Sequence, residues 1–425
     1  MIEYGDGRIA AGGHAPGVLS AEERAVIRDL ARRVYEIGND PVQAQRQAFH
    51  RRNNALRAER PALLCFPEGA WDELVPAKRL VCTDPFWRGY ELYLRRLIYR
   101  WDCLPDDFVT EAALGVPLRA ELTGWGVSPK RTRPSEQGGA WRGEPVLAEL
   151  RDRHKLRPVG LVTDEASTLR AFSAVEEELG DVIPVYVDRS FRDADPLLLE
   201  TVCELRGMEN LYFDMMDEED ELHALLAFLR DSWLRLYDQL ESRNVFSPNT
   251  GNQYVGSGGI GFCDMPRGGA DRPLKSMWGF CESQELASVS PEMYREFATD
   301  YYVPLMERFG LCCVGCCECL DGKLLDLARA LPNLRRVSVS PWTDLRRAAQ
   351  EIGGTVLLSW KPHPGLVSGT AFDEQAVKET VAQGLSWCRG MPMEIILKDV
   401  QTVRCDGGRL KRFLTIARQE MERSA

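Results

Sequence analysis

The chain has 425 residues, a formal net charge of −11 and 13 cysteines. Its acidic balance, with no long basic stretch, argues against nucleic acid or an anionic membrane surface as partner. No apolar run approaches the about 18 residues needed to span a bilayer. The N-terminal MIEYGDGRIAAGGHAPG lacks a basic segment followed by an apolar one. A cytoplasmic setting is therefore expected, where reduced thiols serve as ligands or core residues rather than as disulfides.

Taken in order, the Gly-rich start gives way at Ser20 to a helical pattern that runs to about Arg60. Ser20-Ala-Glu-Glu places a serine cap before acidic first-turn residues, and Ile27, Leu30 and Val34 recur at helical spacing. Residues 1–60 thus read as a helical N-terminal extension, and 61–425 as the main body. Pro61-Ala-Leu-Leu-Cys-Phe-Pro is the first buried-strand signal, and an aromatic-rich helix follows over Phe86 to Cys103. Residues 122–144 combine Gly, Pro and charge without periodicity, so a long loop or β-hairpin is predicted there. Further strand candidates are Val159–Val162, Val182–Val187, Leu211–Met215, Met277–Phe280, Cys312–Cys317, Arg336–Ser340, Val356–Trp360 and Glu394–Leu397, with helices between most of them. Regular alternation of this kind predicts βα units, a parallel sheet and a closed (β/α)8 TIM barrel. No Gly-x-Gly-x-x-Gly follows the first strand, which weighs against a dinucleotide-binding fold.

In such a barrel, function gathers just after the strands. Leu311 to Leu325, LCCVGCCECLDGKLL, holds five of the cysteines together with Glu318. In a regular strand Cys312, Val314, Cys316 and Glu318 share one side, and Cys313, Gly315, Cys317 and Cys319 the other. A carboxylate beside thiols at a strand exit points to a metal site; the simpler alternative is a cysteine-rich core strand. The other exits offer Glu285, Trp342, Lys361, His363, Lys398 and Asp399, with Cys405 a few residues on, and a Gly-rich loop adds Asn249, Asn252, Gln253 and Tyr254. His223 reads as structural, and for Glu285 the alternative to a functional role is a cap of the helix that follows. Two thiolates and a carboxylate with one open position suit Zn²⁺ as a Lewis acid or thiol activator.

Over about residues 60–425 the chain resembles the uroporphyrinogen decarboxylase (URO-D) superfamily, which includes corrinoid-dependent methyltransferases. The likeness lies in Leu211-Tyr-Phe-Asp-Met-Met-Asp-Glu-Glu-Asp-Glu-Leu-His-Ala-Leu-Leu, in Ser290-Pro-Glu-Met-Tyr-Arg-Glu-Phe leading to Tyr302 and Pro304, and in the helix LLDLARALP after the cysteine-rich strand. In the methyltransferase branch a His-x-Cys at that strand end and a later cysteine hold zinc. Aligned without gaps, Cys316-x-Glu318 takes the place of that His-x-Cys; a shift of one residue puts Gly315-x-Cys317 there, and Cys405 stands for the distal cysteine. The resemblance implies methyl transfer between a small-molecule donor or acceptor and a corrinoid. The cobalamin would ride on a partner protein, because the chain lacks Asp-x-His-x-x-Gly.

Cys316, Cys317, Glu318 and Cys405 are then the metal candidates and Glu285, His363 and Asp399 the catalytic ones, with Asn252, Tyr254, Trp342, Lys361 and Lys398 as substrate contacts. A homodimer is in keeping with the superfamily. The decarboxylase branch carries an Arg-rich motif where this chain has FPEGAWDELV, an acidic stretch that would repel a polycarboxylate. Two alternatives are carried forward: a metal-independent decarboxylase or lyase with Lys361, Lys398 or His363 as the acid, and a non-catalytic binding barrel.

Overall fold

The computed structural model describes residues 14–127, 130–132, 142–189, 195–243, 246–265 and 273–424. Helix α1 (Ala21–Gly38) starts with the capping box written in its sequence. Ser20 Oγ accepts from the Glu23 amide at 3.2 Å, and Glu23 Oε2 accepts from the Ser20 amide at 2.8 Å. Helix α2 (Pro41–Asn54) follows, capped by Asp40 with Pro41 in its first turn. The apolar stripe Ile27, Ala31 and Val34 of α1 joins one hydrophobic cluster with Leu64, Phe66, Trp87, Val116 and Ile396.

Strands run in chain order as β1 (Ala62–Cys65), β2 (Leu114–Pro117), β3 (Ala120–Leu122), β4 (Lys130–Thr132), β5 (Arg142–Glu144), β6 (Leu161–Thr163), β7 (Val185–Asp188), β8 (Trp278–Cys281), β9 (Leu311–Val314), β10 (Leu334–Val339), β11 (Leu357–Trp360) and β12 (Met393–Leu397). Six form one parallel sheet in the order β1-β12-β11-β10-β9-β8, and β2 pairs in parallel with β7. Hydrogen-bonded ladders do not join β1 to β2 or β7 to β8 among the described residues. The protein is thus a mixed α/β fold built on a six-stranded parallel sheet with many helices.

Both faces of the sheet are covered, which is why its strands read as unbroken apolar runs. Leu63, Cys65, Ile395 and Leu397 belong to a cluster with the helices that follow the strands. Leu64, Phe66 and Ile396, the alternate positions, join the cluster that holds α1. The residues at Glu394, Ile396 and Lys398 therefore share one face of β12 and its exit.

On that face lies a charged pair. Arg336 Nε is 2.9 Å from Glu394 Oε1, with both side chains almost wholly buried, and the guanidinium sits 4.9 Å from the Trp278 ring centroid. The end of α2 seals it. Asn53 Nδ2 donates to Glu394 Oε2 at 3.2 Å, and Arg336 Nη2 donates to Asn54 Oδ1 at 2.6 Å. Asn54 Nδ2 in turn donates to the Ile260 and Phe262 carbonyls, both at 2.8 Å.

Several strand expectations change. Leu211–Met215 is helical, within Met208–Asp217: its buried residues Leu211, Asp214 and Met215 follow a helical period, and Asp214 pairs with Arg206 at 2.8 Å. The segment around Val159–Val162 contributes β6, which is antiparallel to β3 rather than part of a parallel sheet. A parallel strand comes instead from Leu114-Gly-Val-Pro117, whose glycine and proline hide it. The cysteine-rich strand stops at Val314, because Gly315 adopts φ +90°, where a side chain is disfavoured. In the predicted loop or hairpin, Lys130–Thr132 pairs antiparallel with Arg142–Glu144, while residues 128–129 and 133–141 lie outside the described residues.

Removing one member of the buried pair leaves an uncompensated charge. Glu394→Gln or Arg336→Met should each lower unfolding free energy by about 3–5 kcal/mol, and the double Arg336→Met/Glu394→Leu change should recover most of the loss. Denaturant unfolding checks this. Single variants within about 1 kcal/mol of wild type would contradict it.

Candidate functional site at the exits of β9, β11 and β12

The glycine-rich segment 249–262 lies along the sheet face that carries Arg336 and Lys398. Asn249 exchanges hydrogen bonds with the backbone of Trp278, at 2.8 and 3.0 Å, and Asn252 Nδ2 donates to the Val109 carbonyl just ahead of β2 at 2.6 Å. Its glycines permit the close approach. A side chain at Gly256 (φ +64°) would meet Cys313 Sγ at 2.3 Å, and one at Gly259 (φ +100°) would meet the Arg336 guanidinium at 2.7 Å. Between them Ser257 reaches the strand exits.

There Ser257 Oγ donates to Cys316 Sγ at 3.3 Å and accepts from Lys398 Nζ at 3.1 Å. The turn at Gly315 also brings the neighbouring thiols together: Cys316 and Cys317 Sγ are 3.6 Å apart. Their shared hydrogen bond lowers the Cys317 thiol below its ordinary value and pushes Cys316 up. Glu318 is buried beneath them. Its Oε2 accepts from the Cys316 amide at 2.7 Å, and its Oε1 accepts from the Ser283 amide at 3.1 Å and faces the Tyr294 hydroxyl at 3.5 Å. Glu318 thus fixes the loop that carries the two thiols.

Two lysines close the site. Lys361, one residue beyond β11, donates to Ser359 O at 3.0 Å and Ser359 Oγ at 3.1 Å. Burial, reinforced by the charge of Lys398, lowers it to about 8. Burial also pulls on Lys398, but the neighbouring Tyr254, Cys316, Asp399 and Glu68 outweigh it and hold that ammonium above its usual range. Lys398 Nζ is 3.6 Å from Asp399, whose amide donates to Glu68 Oε2 at 2.8 Å. Glu68 and Asp399 both have positive φ, at 49° and 58°, so the two turns that meet there are strained.

On the other side Glu282 and Glu285 are buried near Glu318. Burial, with mutual repulsion, raises Glu282 well above the usual carboxylate range. Burial lifts Glu285 to about 7, and its Oε2 has no hydrogen-bond partner among the described residues.

Of the residues singled out from sequence, Cys316, Cys317, Glu318, Lys361, Lys398, Asp399 and Tyr254 belong to this neighbourhood through the contacts above. Tyr254 also packs edge-on against Phe66, with centroids 5.0 Å apart. Trp342 and His363 meet edge to face at 5.7 Å on the surface. Asn252 ties the glycine-rich segment to the approach of β2. Cys405 is exposed, and its amide donates to Glu73 Oε2 at 2.7 Å. The ligand atoms of Cys316, Cys317, Glu318 and Cys405 supply no set of three mutually within 4.8 Å among the described residues. Sequence reasoning passed over Ser257, Cys313 and Glu282, although Gly-Ser-Gly-Gly and the acid directly after β8 were visible signals.

No protein-family model and no curated protein matches the chain. Among solved structures, it is similar to a methyltransferase from Methanosarcina mazei, at 10% identity and a TM-score of 0.48, over 88% of this chain and 97% of that one.

Lys361 gives a pH signature. Its folded value of about 8 lies below the ordinary 10.5, so between these values the unfolded chain binds more protons and stability rises with pH. Below pH 8 both states are charged and the burial penalty is fully present. Lys361→Met should therefore compare most favourably with wild type near pH 7 and lose ground by pH 10, as read by urea unfolding at the two pH values. A difference that does not change with pH would contradict this.

Proposed function

We propose that the chain is an enzyme that transfers a methyl group between a small molecule and a corrinoid carried on a partner protein. The architecture behind this reading is a (β/α)8 barrel over 61–425 with a helical extension over 1–60. Its eight staves are β1, β2, β7 and β8 to β12, and the segment 249–262 spans from β8 towards β2. The observation that carries the functional reading is the thiol pair at the exit of β9, beside two buried lysines.

The spacing of the pair fits zinc. Two sulfurs on one tetrahedral zinc at about 2.3 Å lie about 3.8 Å apart, close to the 3.6 Å between Cys316 and Cys317. These two residues would hold the ion; neither Glu318 nor Cys405 brings a third ligand atom within 4.8 Å of both sulfurs, so the remaining positions would fall to water or the small molecule. A bound zinc would supply Lewis acidity, polarising a methyl donor or activating an acceptor. Lys398 and Lys361 would orient an anionic end of the small molecule, and Ser257 keeps Lys398 and Cys316 in register. Glu285 would hold a proton at Oε2 near neutral pH and release it to a leaving group, with Glu282 as its neighbour in the same acidic cluster. Asp399 would position Lys398, Tyr254 and Asn252 would line the approach, and Trp342 with His363 would form its outer rim.

The buried Lys361, at about 8, favours a second reading in which it is the acid of a metal-independent lyase. The two separate cleanly. Protein purified without chelator should contain zinc that falls by at least half in Cys316→Ala and Cys317→Ala. It should methylate free cob(I)alamin from a suitable donor, with a loss of roughly 100-fold in either variant. Zinc content unchanged in both variants, or carbon dioxide release from a carboxylated substrate without metal or corrinoid, would overturn the methyl-transfer reading.

A further inference from the structure

Away from the strand exits, three ligand-type side chains converge where two outer helices cross. Glu219 and His223 lie one turn apart at the start of the helix Glu219–Arg243, and Glu296 faces them from the π-helical turn Arg295–Thr299. His223 Nε2 is 3.3 Å from Glu296 Oε1 and 3.8 Å from Glu219 Oε1, and the three ligand atoms all lie within 4.8 Å of one another.

The imidazole is already oriented. It stacks on Phe297 with centroids 4.9 Å apart and planes 11° off parallel, and its Nδ1 is 2.7 Å from the Tyr301 hydroxyl. That hydroxyl is also 3.2 Å from the His223 carbonyl, which can only accept. Two tautomers satisfy these contacts: Nδ1–H donating to the hydroxyl oxygen, or the hydroxyl donating to Nδ1 while Nε2–H donates to Glu296 Oε1 at 3.3 Å. In the first tautomer Nε2 carries a lone pair directed at the two carboxylates, the arrangement a metal ion requires. Two carboxylates converging on one imidazole nitrogen make a locally negative, three-ligand site that a cation would neutralise.

We propose that Glu219, His223 and Glu296 bind a divalent transition-metal ion of the zinc class, which clamps the helix Glu219–Arg243 to the helical segment after β8. One imidazole nitrogen and two carboxylates are a suitable donor set for zinc, with the fourth position open to water. Ligands at about 2.1 Å in tetrahedral array stand about 3.4 Å apart, so the side chains need only a slight contraction. The Tyr301 hydroxyl would act as the outer partner that fixes the imidazole tautomer, and Arg230, 5.6 Å from the Tyr301 ring centroid, lies on its far side. This site is independent of the thiol pair and of the methyl-transfer reading.

The test uses zinc itself. Crystals of the whole chain soaked in zinc chloride should show an anomalous peak beside His223 Nε2. In solution, competition against a chromophoric chelator should show His223→Ala binding one zinc fewer than wild type. Glu296→Gln should bind that ion at least 10-fold more weakly, and Tyr301→Phe about 10-fold more weakly, with unchanged circular dichroism. No peak at His223, together with identical zinc titrations for wild type and His223→Ala, would mean that a proton alone bridges the carboxylates, and would overturn the proposal. A peak at the cysteines alone would do the same.

Discussion

The buried pair between Arg336 and Glu394 is the constraint on which the interior of this fold depends. Two full charges lie on the covered face of a parallel sheet, where each alone would be heavily penalised. They are tolerated because the end of α2 delivers Asn53 to Glu394 Oε2 and Asn54 to Arg336 Nη2, and because Gly259 lets the chain pass against the guanidinium, although Arg336 Nη1 has no hydrogen-bond partner among the described residues. The N-terminal helices therefore do more than decorate the sheet. They close the end of the interior from which β1 sets out, and they tie the glycine-rich segment to it through the Ile260 and Phe262 carbonyls.

With that end sealed, polarity at the other end is free to serve chemistry. Along β12 and its exit the same face carries Glu394, then Ile396, then Lys398, so a neutralised charge, an apolar spacer and an ammonium follow one another. Ser359 and Lys361 repeat the pattern on β11 with a hydroxyl in the lower place. The site thus sits where the sheet stops supplying backbone partners, and its groups are held by short local devices: the turn at Gly315, the hydroxyl of Ser257 and the amide contacts of Glu318. Among the side chains held there, Lys361, Lys398 and Glu318 are themselves almost wholly buried.

The parallel α/β character could be read from the sequence because doubly covered strands are apolar runs separated by helical periods. The capping box of α1 was legible for the same reason, since it is written within four consecutive residues. What escaped was set by residues distant in sequence. Leu114-Gly-Val-Pro117 is not among the strand candidates of the sequence and is defined by its pairing with β7, and Leu211–Met215 reads as a strand until its helical burial is seen. The alternation expected across Cys312 to Glu318 failed at one residue, Gly315, whose positive φ brings Cys316 and Cys317 together where a straight strand would point them apart. Around Ser257 the Gly-Ser-Gly-Gly setting marks a close backbone approach, but its role is set by Cys316 and Lys398, distant in sequence.

The two adjacent thiols at the exit of β9 are proposed to bind metal as one unit. X-ray absorption at the zinc edge, on His223→Ala protein loaded with a single equivalent of zinc, tests this most directly, since that variant lacks the outer histidine. The account predicts a first shell with two sulfur scatterers at about 2.3 Å, reduced in Cys316→Ala and in Cys317→Ala. A shell of nitrogen and oxygen alone, unchanged in both variants, would contradict it.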